Sequence, residues 1–301
     1  MSISFRQLRY FVATAELGQV SQAGVELAIS QSAITNAIKE LEQAVGTALF
    51  LRSPHGMELT AAGRQFLSHA YDILSKVEEA TNLNVVTSAL TGRLTVAATY
   101  TVIGYFLPFH IGRFRRQFPK LELQLFELTR ESVEEGLLTH RYDIAVLLTS
   151  NIQDPALATE RLLSSTRRLW VPARHELLSS ESVGLKEISK EPYIMLTVDE
   201  AAQSALKYWS QSPYQPNVTL RTSSVEAARS LVANGQGVAI LSDMVHRPFS
   251  LEGKRIETIN VRDPIPAMDI GLAYHKGIEF TPEMEALRSY FRQAYQIADV
   301  G

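Results

Sequence analysis

Residues 20–41 contain two short helical patterns separated by a tight turn, and this pair constrains the fold more than any other stretch. In the second pattern the apolar residues share one helical face, which we expect to be buried: Ala33, Ile34, Ala37, Ile38 and Leu41. The opposite face carries small polar side chains and one lysine: Gln31, Ser32, Thr35, Asn36 and Lys39. A helix with this division packs one face into a core while the other enters a DNA major groove. The pair therefore predicts a helix-turn-helix that binds double-stranded DNA.

The polar face has the chemistry needed to read bases. Glutamine and asparagine form paired hydrogen bonds with adenine, serine and threonine reach bases or phosphates, and lysine reaches guanine or phosphate. An ordinary solvated helix face is the alternative interpretation. Residues 50–59 argue against it, because two short extended pieces around a Pro/Gly turn are typical of a wing behind such a motif. The candidate DNA contacts are Ser21, Gln31, Ser32, Thr35, Asn36, Lys39, Arg52 and His55.

The charge of this region limits how tightly one copy can hold DNA. Residues 1–65 contain five lysines and arginines and five glutamates, so their net charge is zero. Contacts with phosphates supply most of the salt-dependent affinity of DNA-binding proteins, which are usually basic. We therefore predict weak binding per subunit, with several subunits engaging DNA together.

A long helix is predicted from Thr60, as its cap, to about Ala89. Its apolar residues recur at spacings of three and four: Phe66, Leu67, Ala70, Ile73, Leu74, Val77, Ala80 and Leu83. Such a stripe favours pairing with a second copy of itself, and hence a dimer. The alternative is a connector that packs on its own domain.

After Thr91-Gly92 the pattern becomes an alternation of short apolar segments and helices, which predicts βαβ units around a largely parallel sheet. The first set is strand 94–99, helix 106–118, strand 121–126, helix 132–139 and strand 143–148. The second set is strands 169–172, 193–196, 218–221 and 238–241, a helix through 206–209, a helix to 234–235 opened by a capping box at 223–226, strand 268–274, and a helix over 281–298.

Residues 94–112 lack acidic and basic residues and approach the length of a membrane span. Their threonines, Gly104 and Pro108 fit a buried strand that leads into a helix better. No signal peptide is visible, so we expect a cytoplasmic protein without membrane association.

The N-terminal ninety residues closely resemble the LysR-type transcriptional regulators. The matching residues are Leu8-Arg9-Tyr10-Phe11, 30–35, 38–42, Gly46, Leu49-Phe50 with Arg52, and Leu59-Thr60 with Gly63. Weaker similarity covers the rest of the chain. Three positions depart from the family pattern. Ser32 stands where proline is common, the arginine that is common near the position of Asn36 is absent, and Gly24 replaces an alanine.

The resemblance implies an α/β protein with an N-terminal all-α winged helix-turn-helix at 1–59 and a linker and dimerisation helix at 60–90. It further implies a two-subdomain α/β effector region at 91–301 that is similar to periplasmic solute-binding proteins. Subdomain I would comprise 91–163 and 267–301, and subdomain II would comprise 164–266. Members of the family act as bacterial homodimers or homotetramers (dimers of dimers), and RNA polymerase is a further possible partner.

The resemblance also implies an effector site between the subdomains. Ligands of open α/β sheets bind beyond the carboxyl ends of strands, and hydroxyls beside helix amides suit a carboxylate or another small anion. The family places effector contacts at the positions of Thr99, Thr101 and Thr129; the alternative is that these threonines only cap helices. The full set of candidates is Thr99, Thr101, Val102, Thr129, Thr149, Thr197, Gln203 and Ser204.

An enzyme is the main alternative, and the sequence gives it little support. The Gly235-Gln236-Gly237 stretch precedes a strand and has Ile240 where a dinucleotide fingerprint needs a third glycine. The chain has no cysteine and its seven histidines are scattered, so we expect no metal, cofactor or catalytic residue. A solute-binding module that does not act on transcription is a further alternative, which DNA footprinting would test.

Overall fold

The computed structural model describes residues 3–27, 29–53, 56–81, 90–152 and 154–295. The chain divides into two compact units, Met1–Asn84 and Val85–Gly301. None of the helices in the described ranges combines the length and the apolarity that a membrane crossing requires.

The first unit is a small helical domain with a β-hairpin. Its elements are α1 (Phe5–Leu17), α2 (Val20–Glu26), α3 (Gln31–Val45), β1 (Phe50–Ser53), β2 (Gly56–Leu59) and α4 (Ala61–Thr81). The predicted capping box at the start of α1 is present, since Gln7 N donates to Ser4 Oγ at 3.2 Å and Ser4 N donates to Gln7 Oε1 at 2.8 Å. Gly18 ends the helix with φ +68°, the left-handed conformation that glycine adopts most easily. These local signals place α1 as the sequence predicts.

The predicted wing is also present. β1 and β2 pair antiparallel, with Phe50 opposite Leu59 and Ser53 opposite Gly56. Met57 N donates to the carbonyl of Gly18 at 2.7 Å, which ties the hairpin to the end of α1. Pro54 and His55, at the tip of the predicted turn, lie outside the described residues.

Helix α4 uses much of its apolar stripe inside its own unit. Thr60 caps it as predicted, since Gly63 N donates to Thr60 Oγ1 at 2.8 Å. The Phe66 ring packs edge-on against Phe11 with centroids 5.1 Å apart, and Ala70 is fully buried. Ile73 is 45% exposed. The N-terminal part of the stripe, with Phe66 and Ala70, therefore packs on its own domain, as expected for a connector. Residues 82–89 of the predicted helix lie outside the described ranges.

The second unit alternates strands and helices. Its elements are β3 (Gly92–Ala98), α5 (Tyr100–Tyr105), α6 (Leu107–Gln117), β4 (Leu121–Glu127), α7 (Arg130–Leu138), β5 (Ile144–Leu148), β6 (Leu157–Ser165), β7 (Arg167–Pro172), α8 (Leu185–Ile188), β8 (Pro192–Leu196), α9 (Ala201–Ser210), β9 (Asn217–Thr222), α10 (Val225–Ala233), β10 (Ala239–Ser242), β11 (Ile256–Ile259), β12 (Met268–His275) and α11 (Pro282–Ala294).

These strands form two separate α/β subdomains. The first holds a five-stranded sheet in the order β4-β3-β5-β12-β6, where β3 runs parallel to β4 and β5 while β12 runs antiparallel to β5 and β6. In the second, β8 and β9 are parallel and β7 lies antiparallel between β10 and β11. A bridge between Tyr193 and Val238 connects the two groups. The chain crosses between subdomains after β6 and again before β12, and we keep the boundaries 163/164 and 266/267 as a proposal.

Several sequence predictions for this unit need correction. The predicted helix 106–118 is preceded by a separate short helix, α5, and α7 begins two residues early because Thr129 caps it. The predicted capping box at 223–226 is not present, because the helix is capped by Ser224, whose hydroxyl accepts a hydrogen bond from Ala227 N at 3.1 Å. Helix α11 ends at Ala294 rather than near 298. Strands β6 and β11 and helix α8 were not predicted. In β6 the buried residues are Leu157, Leu162 and Ser165, so the strand shows neither an apolar run nor a regular alternation.

Candidate DNA-reading surface and effector cavity

The recognition helix α3 presents most of the predicted polar face to solvent. Gln31, Ser32, Asn36 and Lys39 are exposed, and Thr35 is half-buried. The buried residues of α3 are Ile34, Ala37, Ile38 and Leu41. Ala33, which was expected on this buried face, is exposed, because each residue advances about 100° around a helix and Ala33 falls at the edge of the stripe.

The start of α3 has an ordered hydroxyl pair. Ser30 Oγ accepts from Ala33 N at 3.3 Å, and it lies 3.2 Å from Ser32 Oγ. Ser32 therefore lies within hydrogen-bond distance of the helix cap at the exposed end of α3.

The other predicted DNA contacts lie around this helix. Ser21 is half-buried on α2 and donates to Gln19 Oε1 at 3.4 Å. Arg52 lies in β1 opposite Met57. Candidate His55 falls outside the described residues. The DNA-contacting roles of these residues stay predictions.

Two glutamates of α3 are engaged within the domain. Glu42 Oε1 accepts from the backbone amides of Leu49 and Phe50 at 2.8 and 3.0 Å. Glu40 Oε2 accepts from Gln7 Nε2 at 3.0 Å. These carboxylates bind the helix to the wing and to α1, whereas Lys39 is exposed on the same helix. A zero net charge is therefore compatible with a local excess of positive charge on the polar face.

The second unit contains a cavity between its two subdomains, with about 550 Å³ of space including the open mouth. Subdomain I contributes Thr101, Leu148 and Met268 to the wall. Subdomain II contributes Arg167, Tyr193, Met195, Leu196, Val198, Asp199, Ala201, Ala205, Tyr208, Ile240, Leu241, Ser242 and Val245. A mostly apolar wall with a few convergent polar groups is typical of small-molecule sites.

Arg167 is the cationic group of this wall. As the first residue of β7, it donates from Nη1 to the carbonyls of Pro266 and of Ala267, the latter at 2.9 Å. These carbonyls belong to the second crossover segment, so Arg167 connects the two crossovers. Asp269 acts on its charge from a distance, and among the described residues no carboxylate accepts a hydrogen bond from it. Burial lowers the pKa of Arg167, because the charged guanidinium is partly removed from water.

Two tyrosines form a buried hydroxyl pair in the wall. The hydroxyls of Tyr193 and Tyr208 lie 3.3 Å apart, and Tyr193 also accepts from Ile240 N at 3.2 Å. Burial raises the pKa of both phenols above the usual value, so both are neutral near pH 7. They offer hydroxyl groups that a ligand can hydrogen-bond.

Asp199 has an unusual backbone and a contact across the cavity. Its φ and ψ are +48° and +46°, the left-handed region that only a few per cent of non-glycine residues adopt. Its Oδ2 accepts from Thr101 N at 2.6 Å, so a carboxylate of subdomain II binds the first turn of α5 in subdomain I.

Helix α5 makes further contacts with subdomain II. Tyr105 donates to Glu226 Oε1 at 2.9 Å, and Glu226 lies 3.3 Å from Arg229 Nη2. Tyr100 and Tyr105 both pack against the apolar cluster of subdomain II. Burial and the adjacent Glu226 raise the pKa of Tyr105, so its hydroxyl remains a donor over the physiological range. Helix α5 thus joins the subdomains on one side of the cavity.

Of the eight predicted effector contacts, Thr101 is the one that the described structure places in the wall of this cavity. Thr101 lies in the wall, and Val102 is fully buried beside it. Thr99 precedes α5, and its buried Oγ1 has no hydrogen-bond partner within the described ranges. Thr129 Oγ1 caps α7 by accepting from Ser132 N at 3.4 Å, and Thr149 Oγ1 donates to the Asp269 carbonyl at 3.4 Å.

Three further candidates lie on subdomain II near the wall. Thr197 stands between two wall residues and donates from its amide to the Thr222 carbonyl at 2.9 Å. Gln203 is exposed and Ser204 is half-buried, because α9 turns its alanines toward the cavity. The effector-binding roles of all eight candidates stay predictions.

Sequence reasoning missed the polar groups that line the cavity most directly. These are Arg167, Tyr193, Asp199, Tyr208 and Ser242. They come from different strands, turns and a helix, and no local motif marks them. In the part of the chain that the structure describes, no group of three or more histidines or acidic residues could hold a metal ion.

Comparisons with known proteins agree with this architecture. Residues 5–64 match the bacterial regulatory helix-turn-helix model of the lysR family, and residues 87–296 match the LysR substrate-binding domain model. The transcriptional regulator AlsR of Bacillus subtilis is 29% identical over 83% of this chain and 84% of its own length. The regulator ClcR of Pseudomonas putida is 30% identical over 81% and 84%.

A solved structure shows the same similarity. The LysR family regulator HinK from Pseudomonas aeruginosa superposes with a TM-score of 0.62 at 27% identity, covering 98% of this chain and 99% of that one. The domains, the relatives and the fold all indicate a regulator and not an enzyme. The chain therefore belongs to the LysR family of DNA-binding transcriptional regulators.

Proposed function

We propose that this regulator binds its operator through α3 and the wing, and that a small molecule in the inter-subdomain cavity controls this binding. The observation that carries the proposal is the cavity wall, which combines groups from both subdomains. It includes Arg167, whose hydrogen-bond acceptors among the described residues are backbone carbonyls. A ligand that contacts both subdomains stabilises some relative orientations of the subdomains more than others.

The effector binds through an anionic group, and specifically through a carboxylate. Arg167 supports this assignment, since a guanidinium removed from water is stabilised by a carboxylate that accepts two parallel hydrogen bonds. On the side of subdomain I, Thr101 lines the cavity, and the hydroxyl of the preceding Thr99 has no hydrogen-bond partner within the described residues. Both threonines can donate hydrogen bonds to the carboxylate of the effector.

The contacts of α5 are the route from the cavity to the DNA-binding heads. The bonds Thr101–Asp199 and Tyr105–Glu226 cross from one subdomain to the other. A ligand that competes for or reinforces them shifts the angle between subdomains, and in an assembly of several chains this shift changes the spacing of the heads.

The assembly is a homodimer or a dimer of dimers. The exposed Ile73 on α4 and the zero net charge of residues 1–65 support it, because one copy offers little electrostatic affinity for DNA. Action on DNA places the protein in the bacterial cytoplasm, and contact with RNA polymerase belongs to the same proposal.

Footprinting of the DNA upstream of the gene tests this function. The wild-type protein should protect a site there, and a ligand found by a thermal-shift screen of small carboxylates should change the length of protection. Lys39→Ala should weaken binding and reduce the slope of log K against log salt by about 0.9, while the control Lys207→Ala, on α9, should leave both unchanged. Ligand binding without any protected DNA would instead indicate a solute-binding module.

A further inference from the structure

The charged groups of the cavity wall carry opposite signs. Within the described residues, Arg167 and Asp199 are the two charged side chains that line it, so the wall is neutral overall. They form no ion pair with each other, and each is bound only by backbone groups of the described chain. Both belong to subdomain II with the boundaries proposed above.

A charged side chain that is partly removed from water is stabilised by an opposite charge in direct contact. Arg167 and Asp199 are both half-buried, and within the described residues neither forms an ion pair at contact distance, although Asp269 acts on Arg167 from further away. A simple carboxylate would compensate Arg167 and leave its own negative charge near Asp199. A simple amine would compensate Asp199 and leave Arg167 unpaired. A ligand that carries both charges compensates both side chains at once.

Asp199 is suitable for an ammonium group. Its Oδ2 already accepts from Thr101 N at 2.6 Å, which leaves Oδ1 without a hydrogen-bond partner in the described structure. The left-handed backbone at φ +48° holds this carboxylate in the wall at some conformational cost. Backbone outliers of this kind cluster at ligand sites, where the surrounding structure maintains them.

The remainder of the wall suits an apolar group on the ligand, in addition to its two charged groups. Its side chains are mainly aliphatic or thioether groups: Leu148, Met195, Leu196, Val198, Ala205, Ile240, Leu241, Val245 and Met268. The space between these groups, about 550 Å³ with open solvent included, is open to solvent at its mouth.

From these observations we infer that the effector is the zwitterion of an apolar α-amino acid, whose carboxylate binds Arg167, whose ammonium binds Asp199, and whose side chain packs on the apolar wall. This inference rests on the proposed function, since it specifies the ligand of the same cavity.

Calorimetric titration of the full-length protein with matched probes tests the inference. L-Leucine carries both charges, 4-methylpentanoate lacks the ammonium, and 3-methylbutan-1-amine lacks the carboxylate; L-valine, L-isoleucine, L-methionine and L-phenylalanine vary the side chain. At least one amino acid of this set should bind, and L-leucine should bind at least tenfold more tightly than either single-charge analogue. Binding of 4-methylpentanoate as tight as that of L-leucine, or no binding of any of these amino acids, would overturn the inference.

Variants separate the two charges. Asp199→Asn keeps an acceptor for the Thr101 amide and should abolish the preference for L-leucine over 4-methylpentanoate. Arg167→Gln should weaken both probes at least tenfold, and Arg167→Lys should retain part of the affinity. The control Glu252→Gln changes an exposed carboxylate outside the cavity and should have no effect. Circular dichroism confirms that each variant is folded.

The outcomes distinguish this inference from the proposed function. If 4-methylpentanoate binds wild type as tightly as L-leucine and Arg167→Gln abolishes its binding, the cavity is an effector site and the amino-acid assignment is wrong. If a ligand binds with equal affinity to wild type, Arg167→Gln and Asp199→Asn, the cavity is not its site, and both proposals fail.

Discussion

The link between Glu42 and the wing gives a quantitative prediction. Glu42 Oε1 accepts from the amides of Leu49 and Phe50 at 2.8 and 3.0 Å, and both residues are at most 5% exposed. In Glu42→Ala neither amide has this acceptor, and each unsatisfied buried donor costs about 1–3 kcal/mol. Allowing for partial access of water, we expect a local loss of about 2–4 kcal/mol.

Hydrogen exchange of the full chain measures this loss where it occurs. A loss of about 2–4 kcal/mol corresponds to exchange that is roughly 30- to 900-fold faster in peptides covering the start of β1, if exchange follows local opening. Affinity for operator DNA should fall as well, because the hairpin loses its attachment to α3.

A matched control lies two residues away on the same helix. Glu40 is exposed and accepts a single side-chain bond, from Gln7 Nε2 at 3.0 Å, so its removal leaves no backbone amide without an acceptor. Glu40→Ala should therefore cost less than about 1 kcal/mol. Glu42→Gln keeps a neutral acceptor and should fall between the two. Equal exchange rates near β1 in Glu42→Ala and Glu40→Ala would refute the reasoning.

Three further predictions concern stability and DNA binding. In Gly24→Ala the new Cβ would lie 2.7 Å from the Ile29 carbonyl oxygen, which is too close for an unstrained contact. The variant should therefore melt at a lower temperature than the wild type, although alanine favours helices over glycine by about 1 kcal/mol. A higher melting temperature would contradict this. Burial lowers the pKa of His110 and of His246 to about 4, so protonation below pH 6.5 favours the unfolded state, in which both histidines have ordinary pKa values. The free energy of unfolding of the second unit should therefore fall by about 1.4 kcal/mol per pH unit for each histidine between pH 6.5 and 4. Urea unfolding of His110→Gln at several pH values should show a smaller dependence on pH than that of the wild type. The operator affinity of one dimer should depend on salt with a slope less steep than about −8 in log K against log salt, and a steeper slope in a titration would contradict weak binding per subunit.

The N-terminal unit could be predicted closely because its signals are local. Ser4 with Gln7, Gly18 and Thr60 mark helix ends through bonds that span three or four residues, and the structure contains those bonds. Ala33 was misplaced because it lies at the edge of the apolar stripe, where helical periodicity alone does not decide burial.

The cavity could not be predicted in the same way. Its charged residues, Arg167 and Asp199, come from the start of β7 and from the turn before α9, and tertiary folding alone brings them to one wall. Threonines after strands were a reasonable guide to the carboxyl ends of the sheet, and Thr101 does line the cavity. Strand β6 was not predicted because its sequence, with Glu160, Arg161 and two serines, shows neither an apolar run nor a regular alternation.

The most direct test of the account compares footprints of wild type and Arg167→Gln on the upstream DNA, with and without saturating ligand. We predict that ligand changes the protected length for wild type alone, and that both proteins protect the same length without ligand. Identical footprints for wild type with and without bound ligand would contradict the claim that the cavity controls DNA binding.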